Sequence, residues 1–182
     1  MRPVLIIAGS AREGGNTEKA VEHLRRALDL GEEAVIHLRA CRIEPFSYER
    51  RPRDDFPAIV ERILANRRIV FAGPVYWYAM SGLMKNFFDR LTDLLLDPNG
   101  RVLARSLAGR DVWLLATGTD PEIPDGFAEP FVRTAGYFGM RWREAFYLRV
   151  DEGSAPDEQD FAAVDALAAA LAARAAPPFR SS

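Results

Sequence analysis

Short unbroken apolar runs alternate along this chain with segments whose apolar residues recur every three to four positions. Val4 to Ala8 is such a run, the pattern of a strand buried on both faces. From Asn16 the period lengthens: Ala20, Val21, Leu24, Ala27 and Leu28 share one helical face, with Gly31 at its end. Ala34 to Leu38 predicts a second strand, and Cys41 to Arg53 a polar connection with two prolines. Asp54-Asp55-Phe56-Pro57 opens a helix, the acids available as caps and Pro57 near its first position. Phe56, Ile59, Val60, Ile63 and Leu64 form its buried stripe. Arg68 to Ala72 predicts a third strand ending at Gly73-Pro74. Ser81 is placed to cap one helix whose apolar face runs from Leu83 to Leu95, until Asp97-Pro98-Asn99-Gly100 breaks it. Asp111 to Ala116 is a fourth strand. A helix over Phe127 to Phe138 and a strand near Trp142 to Val150 follow. Residues 151–160 read as a surface loop, and Phe161, Val164, Leu167 and Leu171 mark a last, Ala-rich helix.

Five strands alternating with five helices predict an α/β sandwich of three layers, its five-stranded parallel sheet ordered 2-1-3-4-5. Residues 1–175 are expected to form a single domain and 176–182 a flexible tail. In this architecture ligands lie beyond the carboxyl ends of the strands, where the strand order reverses. The loops after strands 1, 3 and 4 are therefore the place to seek chemistry.

Composition narrows the function. The chain has 182 residues, 48% hydrophobic and 27% charged, which suits a folded globular protein. Net charge is −2, so the chain is not built to neutralise nucleic-acid phosphates. Lys19 and Lys85 are the only lysines among 24 basic residues, and the arginines are scattered. A lone cysteine, Cys41, excludes an intrachain disulfide and a Cys-based zinc or iron–sulfur site. No run reaches the ~20 apolar residues of a membrane span. The expectation is a cytoplasmic protein with no nucleic-acid or membrane partner and no metal.

After strand 1 comes Gly9-Ser10-Ala11-Arg12-Glu13-Gly14-Gly15-Asn16-Thr17. Small residues let backbone N–H groups approach an anion, and the following helix N-terminus adds partial positive charge. Ser10, Asn16 and Thr17 offer hydrogen bonds and Arg12 a charge, which predicts phosphate binding over a plain strand–helix turn. After strand 3, Pro74-Val75-Tyr76-Trp77-Tyr78 sets three aromatics behind a stiff proline. They suit a flat heteroaromatic ligand, or equally aromatic packing beneath the loop or at a subunit contact. Thr117-Gly118-Thr119-Asp120, after strand 4, could donate to a ligand rim or make an ordinary turn. Lys85/Asp89 and Asn86/Arg90, spaced i, i+4, read as two surface pairs.

Taken together, Gly9-Ser10-x-Arg12-x-x-x-Asn16-Thr17, Pro74-Val75-Tyr76-Trp77 and Leu83-Met84-Lys85-Asn86-Phe87-Phe88-Asp89-Arg90 resemble the NAD(P)H-dependent FMN reductases of the flavodoxin-like fold. The resemblance covers about residues 3–150, with Asp54-Asp55-Phe56, Leu107-Ala108-Gly109-Arg110 and Gly139-Met140 matching that family's layout. It implies that Ser10, Arg12, Asn16 and Thr17 hold the FMN phosphate. It implies that Pro74, Val75, Tyr76 and Trp77 line the flavin ring, and that Thr117 and Gly118 reach its pyrimidine side. Members are usually homodimers, some of them homotetramers, with the flavin at the subunit interface. Met84 stands where the family often has Leu, and the third loop lacks a second glycine common there. The cysteine cluster of related iron–sulfur flavoproteins is missing, which excludes that branch.

The activity so implied is ping-pong: NADH or NADPH gives a hydride to the flavin, which then reduces a quinone, a flavin or another small electron acceptor. The flavin carries the chemistry, so no catalytic side chain is expected. His23 and His37 fall away from the loops and read as structural. The alternatives are a flavodoxin-type FMN electron carrier without its own NAD(P)H reductase activity, and a scaffold that has lost the flavin. Arg12 and the modest charge speak against the first, the intact loop residues against the second.

Overall fold

The computed structural model describes residues 4–50, 52–96, 98–151 and 153–173. Five parallel strands build the sheet: β1 (Val4–Ala8), β2 (Val35–His37), β3 (Arg68–Tyr76), β5 (Asp111–Gly118) and β6 (Arg141–Arg149). Their order is β2-β1-β3-β5-β6, and β4 (Ala79–Met80) pairs only with β3, antiparallel. With that small extra strand set aside, this is the expected 2-1-3-4-5 order of a doubly wound, flavodoxin-like sheet. The expected tail at 176–182 lies outside the described residues.

Successive strand residues point to opposite faces, and each face buries its own helices. On one side Val4, Ile6, Ala8, Val70 and Leu115 pack against α1 (Asn16–Ala27) and α7 (Ala162–Ala172). On the other, Leu5, Ile7, Ile69, Phe71 and Leu114 pack against α2 (Phe56–Ala65), α3 (Gly82–Arg90) and α6 (Glu129–Tyr137). Phe71, Phe87, Phe88 and Phe131 stack through edge-on and tilted contacts at the heart of this second layer. Both edges of the sheet are blunted: β2 has three residues, and β6 carries Arg141, Arg143, Glu144 and Arg149.

Three elements differ from the periodicity. β3 does not stop at Ala72 but runs through Gly73 and Pro74 to Tyr76. At Gly73 and Pro74 it is bordered by β5 alone, because β1 has ended and β4 pairs only from Val75 onward, so a residue without an N–H is tolerated there. The expected single helix over Leu83 to Leu95 ends at Arg90 and resumes as α4 (Asp93–Leu96), the chain tightening through Leu91 N–H to Phe88 O and Thr92 N–H to Asp89 O. Pro98 begins a further helix, α5 (Pro98–Ser106), because proline is at home in a first turn. Gly100 belongs there: a Cβ would come within 2.9 Å of Leu94 O.

Two buried arginines, Arg110 and Arg68, bind helix ends rather than acids. Arg110 Nε donates to Ile63 O at 2.9 Å and its Nη2 to Leu64 O, capping α2. Arg68, also buried, caps the end of α7 through Leu171 O and Ala173 O. No helix among the described residues is long and apolar enough to cross a membrane, and no cluster of three or more His, Cys, Asp or Glu there could hold a metal ion.

Candidate functional site

Beyond the carboxyl ends of β1, β3 and β5 the three loops enclose a cleft of about 190 Å³. Ser10, Arg12, Asn16 and Thr17 enter from the first loop, Pro74, Val75 and Tyr76 from the second, Thr117 and Gly118 from the third. The structure thus brings together nine of the ten expected residues. Trp77 is the exception. It stands 94% exposed at the tip of the β3–β4 hairpin and is not part of the cleft wall. Gly15, Thr119 and Val150 complete the lining; the first two lie in the loops the sequence pointed to, and Val150, just past β6, carried no local signal.

The first loop is shaped to leave donors free. Gly15 is the N-cap of α1 and has no side chain to bond the first-turn amides. Gly14 takes a positive φ of 63°, natural for glycine. The Gly14 N–H donates to Glu18 Oε2 at 2.5 Å, and Glu18 also accepts from Arg39 Nη2 at 2.8 Å. Burial pushes the Glu18 carboxyl up, but the Gly14 amide and Arg39 outweigh it and hold it below its usual value. Arg39 in turn donates to His37 Nδ1 at 2.9 Å, so that nitrogen is the unprotonated one. Burial, then the Arg39 charge, lowers the His37 pKa. His37 is therefore tied through Arg39 and Glu18 to the first loop and is not remote from it. His23 bonds Asp165 at 2.7 Å and stacks on Phe161, joining α1 to α7.

Ser81 is buried and bonds in two directions: it accepts from the Met84 N–H, capping α3, and donates to Gly9 O. A Cβ on Gly9 would lie 2.9 Å from Met84 Cε, so glycine there lets loop one meet α3. Thr17 Oγ1 and Thr117 Oγ1 are 2.6 Å apart in the cleft floor. Tyr147 Oη donates to Asp120 O at 3.1 Å and would sit 2.6 Å from a Cβ on Gly118. Gly118 is thus required by the approach of a tyrosine from β6. No local signal marked Tyr147, because its partner is 27 residues away.

The i, i+4 pairs on α3 divide. Lys85 and Asp89 form the expected exposed pair at 2.5 Å. Asn86 and Arg90 do not pair. Asn86 donates to Ile43 O at 2.7 Å. Arg90, 1% exposed, binds Asp54, Asp93 Oδ2 and Glu44 O, its guanidinium lying over Phe56. These residues fasten the segment after β2 and lie away from the cleft lining.

The NADPH-dependent FMN reductase family profile matches residues 2–121. A protein of Bacillus subtilis (strain 168), YwqN, described as an NAD(P)H-dependent FMN-containing oxidoreductase, is 34% identical over 128 residues, 66% of this chain and 69% of that protein. The Trp repressor binding protein from Bacillus subtilis superposes with a TM-score of 0.69 at 26% identity, covering 90% of this chain and 96% of that one. General stress protein 14 from Treponema denticola, solved in complex with FMN, shares the fold with a TM-score of 0.62 at 19% identity, covering 94% and 97%.

Proposed function

This chain belongs to the NADPH-dependent FMN reductase family, and from that premise we propose that it works in ping-pong order, with FMN held in the cleft between the three loops. Its second substrate is a quinone, a flavin or another small electron acceptor. The carrying observation is the convergence of the three loops: first-turn amides without a side-chain cap, an exposed guanidinium and hydroxyls open on one cleft. That donor set is the chemistry a phosphate monoester requires.

When bound, FMN would supply a two-electron relay between NAD(P)H, which gives a hydride and leaves as NAD(P)⁺, and an acceptor that gains two electrons and two protons, the second proton coming from solvent. The protein supplies position. Ser10, Arg12, Asn16 and Thr17 would hold the phosphate, Arg12 balancing its charge. Pro74, Val75 and Tyr76, carried on the extended end of β3, would support the ring along one side. Gly118 and Thr119, on the loop that Tyr147 fastens at Asp120 O, would offer amides to its polar edge. Trp77, outside the cleft wall, is free to meet the second substrate rather than the cofactor. Burial raises the Tyr147 pKa above its ordinary value, so the phenol keeps its proton and its bond to Asp120.

The test is direct. The purified protein is loaded with FMN, excess is removed, and NADH or NADPH is added without oxygen while the flavin absorbance is followed. Rapid bleaching of the bound band is expected. A retained flavin that neither nucleotide bleaches would overturn the reductase reading and favour an electron carrier.

A further inference from the structure

Thr17 and Thr117 lie 100 residues apart in sequence, yet both are almost fully buried, 2% and 3% exposed, with their hydroxyl oxygens 2.6 Å apart. Two hydroxyls carry two protons, and the bond between them uses one. Among the described residues neither hydroxyl has a second hydrogen-bond partner. One O–H is therefore left over, buried, on the floor of a cleft that both residues line. A buried donor without an acceptor is costly, so this proton calls for an acceptor from a ligand.

The surroundings decide which proton is spare. Thr17 is the second residue of α1, at the helix end where positive potential and free amides gather. An anion drawn there takes the proton of Thr17. The Thr17 oxygen then has only lone pairs to offer its neighbour, and Thr117 must be the donor within the pair. We propose that Thr117 is a positioning residue for the anionic end of the ligand: its hydroxyl donates to Thr17 and turns the Thr17 proton onto the phosphate. This moves Thr117 away from the flavin ring, to which the family resemblance assigned it. Gly118 and Thr119 remain as the third loop's contributions near the ring. The inference rests on the FMN reading of the cleft.

Binding of FMN and of riboflavin, which lacks the phosphate, separates the possibilities. Each is titrated by flavin fluorescence against wild type, Thr117→Val, Thr117→Ser, Thr17→Val and the double valine variant. Thr117→Val should weaken FMN about tenfold, the scale of one charge-assisted hydrogen bond, and leave riboflavin within about twofold. Thr117→Ser should restore FMN affinity. The double variant should be no worse than Thr17→Val alone, because the two hydroxyls act in series. Equal weakening of both flavins by Thr117→Val would overturn the proposal and return Thr117 to the ring or to a merely structural role. Unchanged FMN binding would overturn it too. Should the valine variant not fold, Thr117→Ala against Thr117→Ser makes the same comparison. Wild-type protein that binds neither flavin would instead overturn the cofactor reading on which the proposal stands.

Discussion

Trp77 and Tyr78 occupy the two turn positions between β3 and β4 with φ of 50° and 63°. A two-residue hairpin turn of this hand asks for Asn-Gly, and side chains forced into left-handed backbone cost roughly 1–2 kcal/mol each. Solvent surrounds both rings, so packing within the chain does not offset that strain. Residues retained at such a cost usually have a function. Replacing the pair with Trp77→Asn and Tyr78→Gly should raise stability in denaturant titration by about 1–2 kcal/mol. Turnover of the electron acceptor should fall while FMN retention changes little. Equal loss of both would make Trp77 a support of the cofactor. Arg12 is argued at the same scale. Arg12→Ala should weaken FMN binding by about 1.5–3 kcal/mol, the worth of a hydrogen bond to a charged group. An unchanged dissociation constant would remove Arg12 from the phosphate site.

The segment between β2 and α2 shows how one element is held without regular structure. Asp54 accepts from the Glu44 N–H at 2.9 Å and the Phe56 N–H at 3.1 Å, and Asp55 from the Arg42 N–H at 2.7 Å. Buried Arg90 joins Asp54 to Glu44 O from α3. Burial pushes the Asp54 carboxyl up, but Arg90 and the two amides outweigh it, and its pKa falls below 3.8. A carboxyl depressed on folding stabilises the protein above its unfolded pKa and loses that contribution as pH falls through the folded one. Wild-type stability should therefore drop as pH falls below about 4, partly through Asp54. Asp54→Asn should cost about 3–5 kcal/mol near neutrality, because Arg90 stays buried and loses a charged partner. The variant should also flatten that acid limb in urea titrations run as a function of pH. A loss no larger than that of an exposed pair would mean Asp93 alone suffices for Arg90.

At the scale of the whole molecule, the strand order decides where the loops meet. β1 and β3 are neighbours but lead to helices on opposite faces, α1 and α3, so their carboxyl ends diverge and open the cleft. The aromatic hairpin rises at one rim of that opening. On the α5 and α6 side, Tyr137 is 70% exposed and lines a cavity of about 500 Å³, and Val102 on α5 is 59% exposed. We propose that the chain assembles as a homodimer or homotetramer, covering surface of this kind. Light scattering should give two or four times the 20.3 kDa chain mass, and a monomer at working concentration would overturn that assembly.

Much of this protein was legible in local pattern. Unbroken apolar runs marked β1, β3 and β5, because strands covered on both faces have no polar side to show. The loops followed from the strands, since a doubly wound sheet confines its ligand to their carboxyl ends. Ser10, Arg12, Asn16, Thr17 and Pro74 could be singled out because small, polar and stiff residues there have few other uses. What escaped is non-local. Arg90 reads as a surface residue until Asp54, 36 positions earlier, buries its charge. Proline and glycine at 98 and 100 read as a break until α5 packs on the α4 carbonyls. Thr17 and Thr117 are two unrelated hydroxyls until the sheet brings β5 beside α1. The sequence by itself determined the alternation of elements, hence the sheet and the end at which chemistry sits, because burial periodicity is written in neighbouring residues. Only the tertiary structure decided which polar groups share a proton or a charge, because those partners are chosen by packing across the sheet.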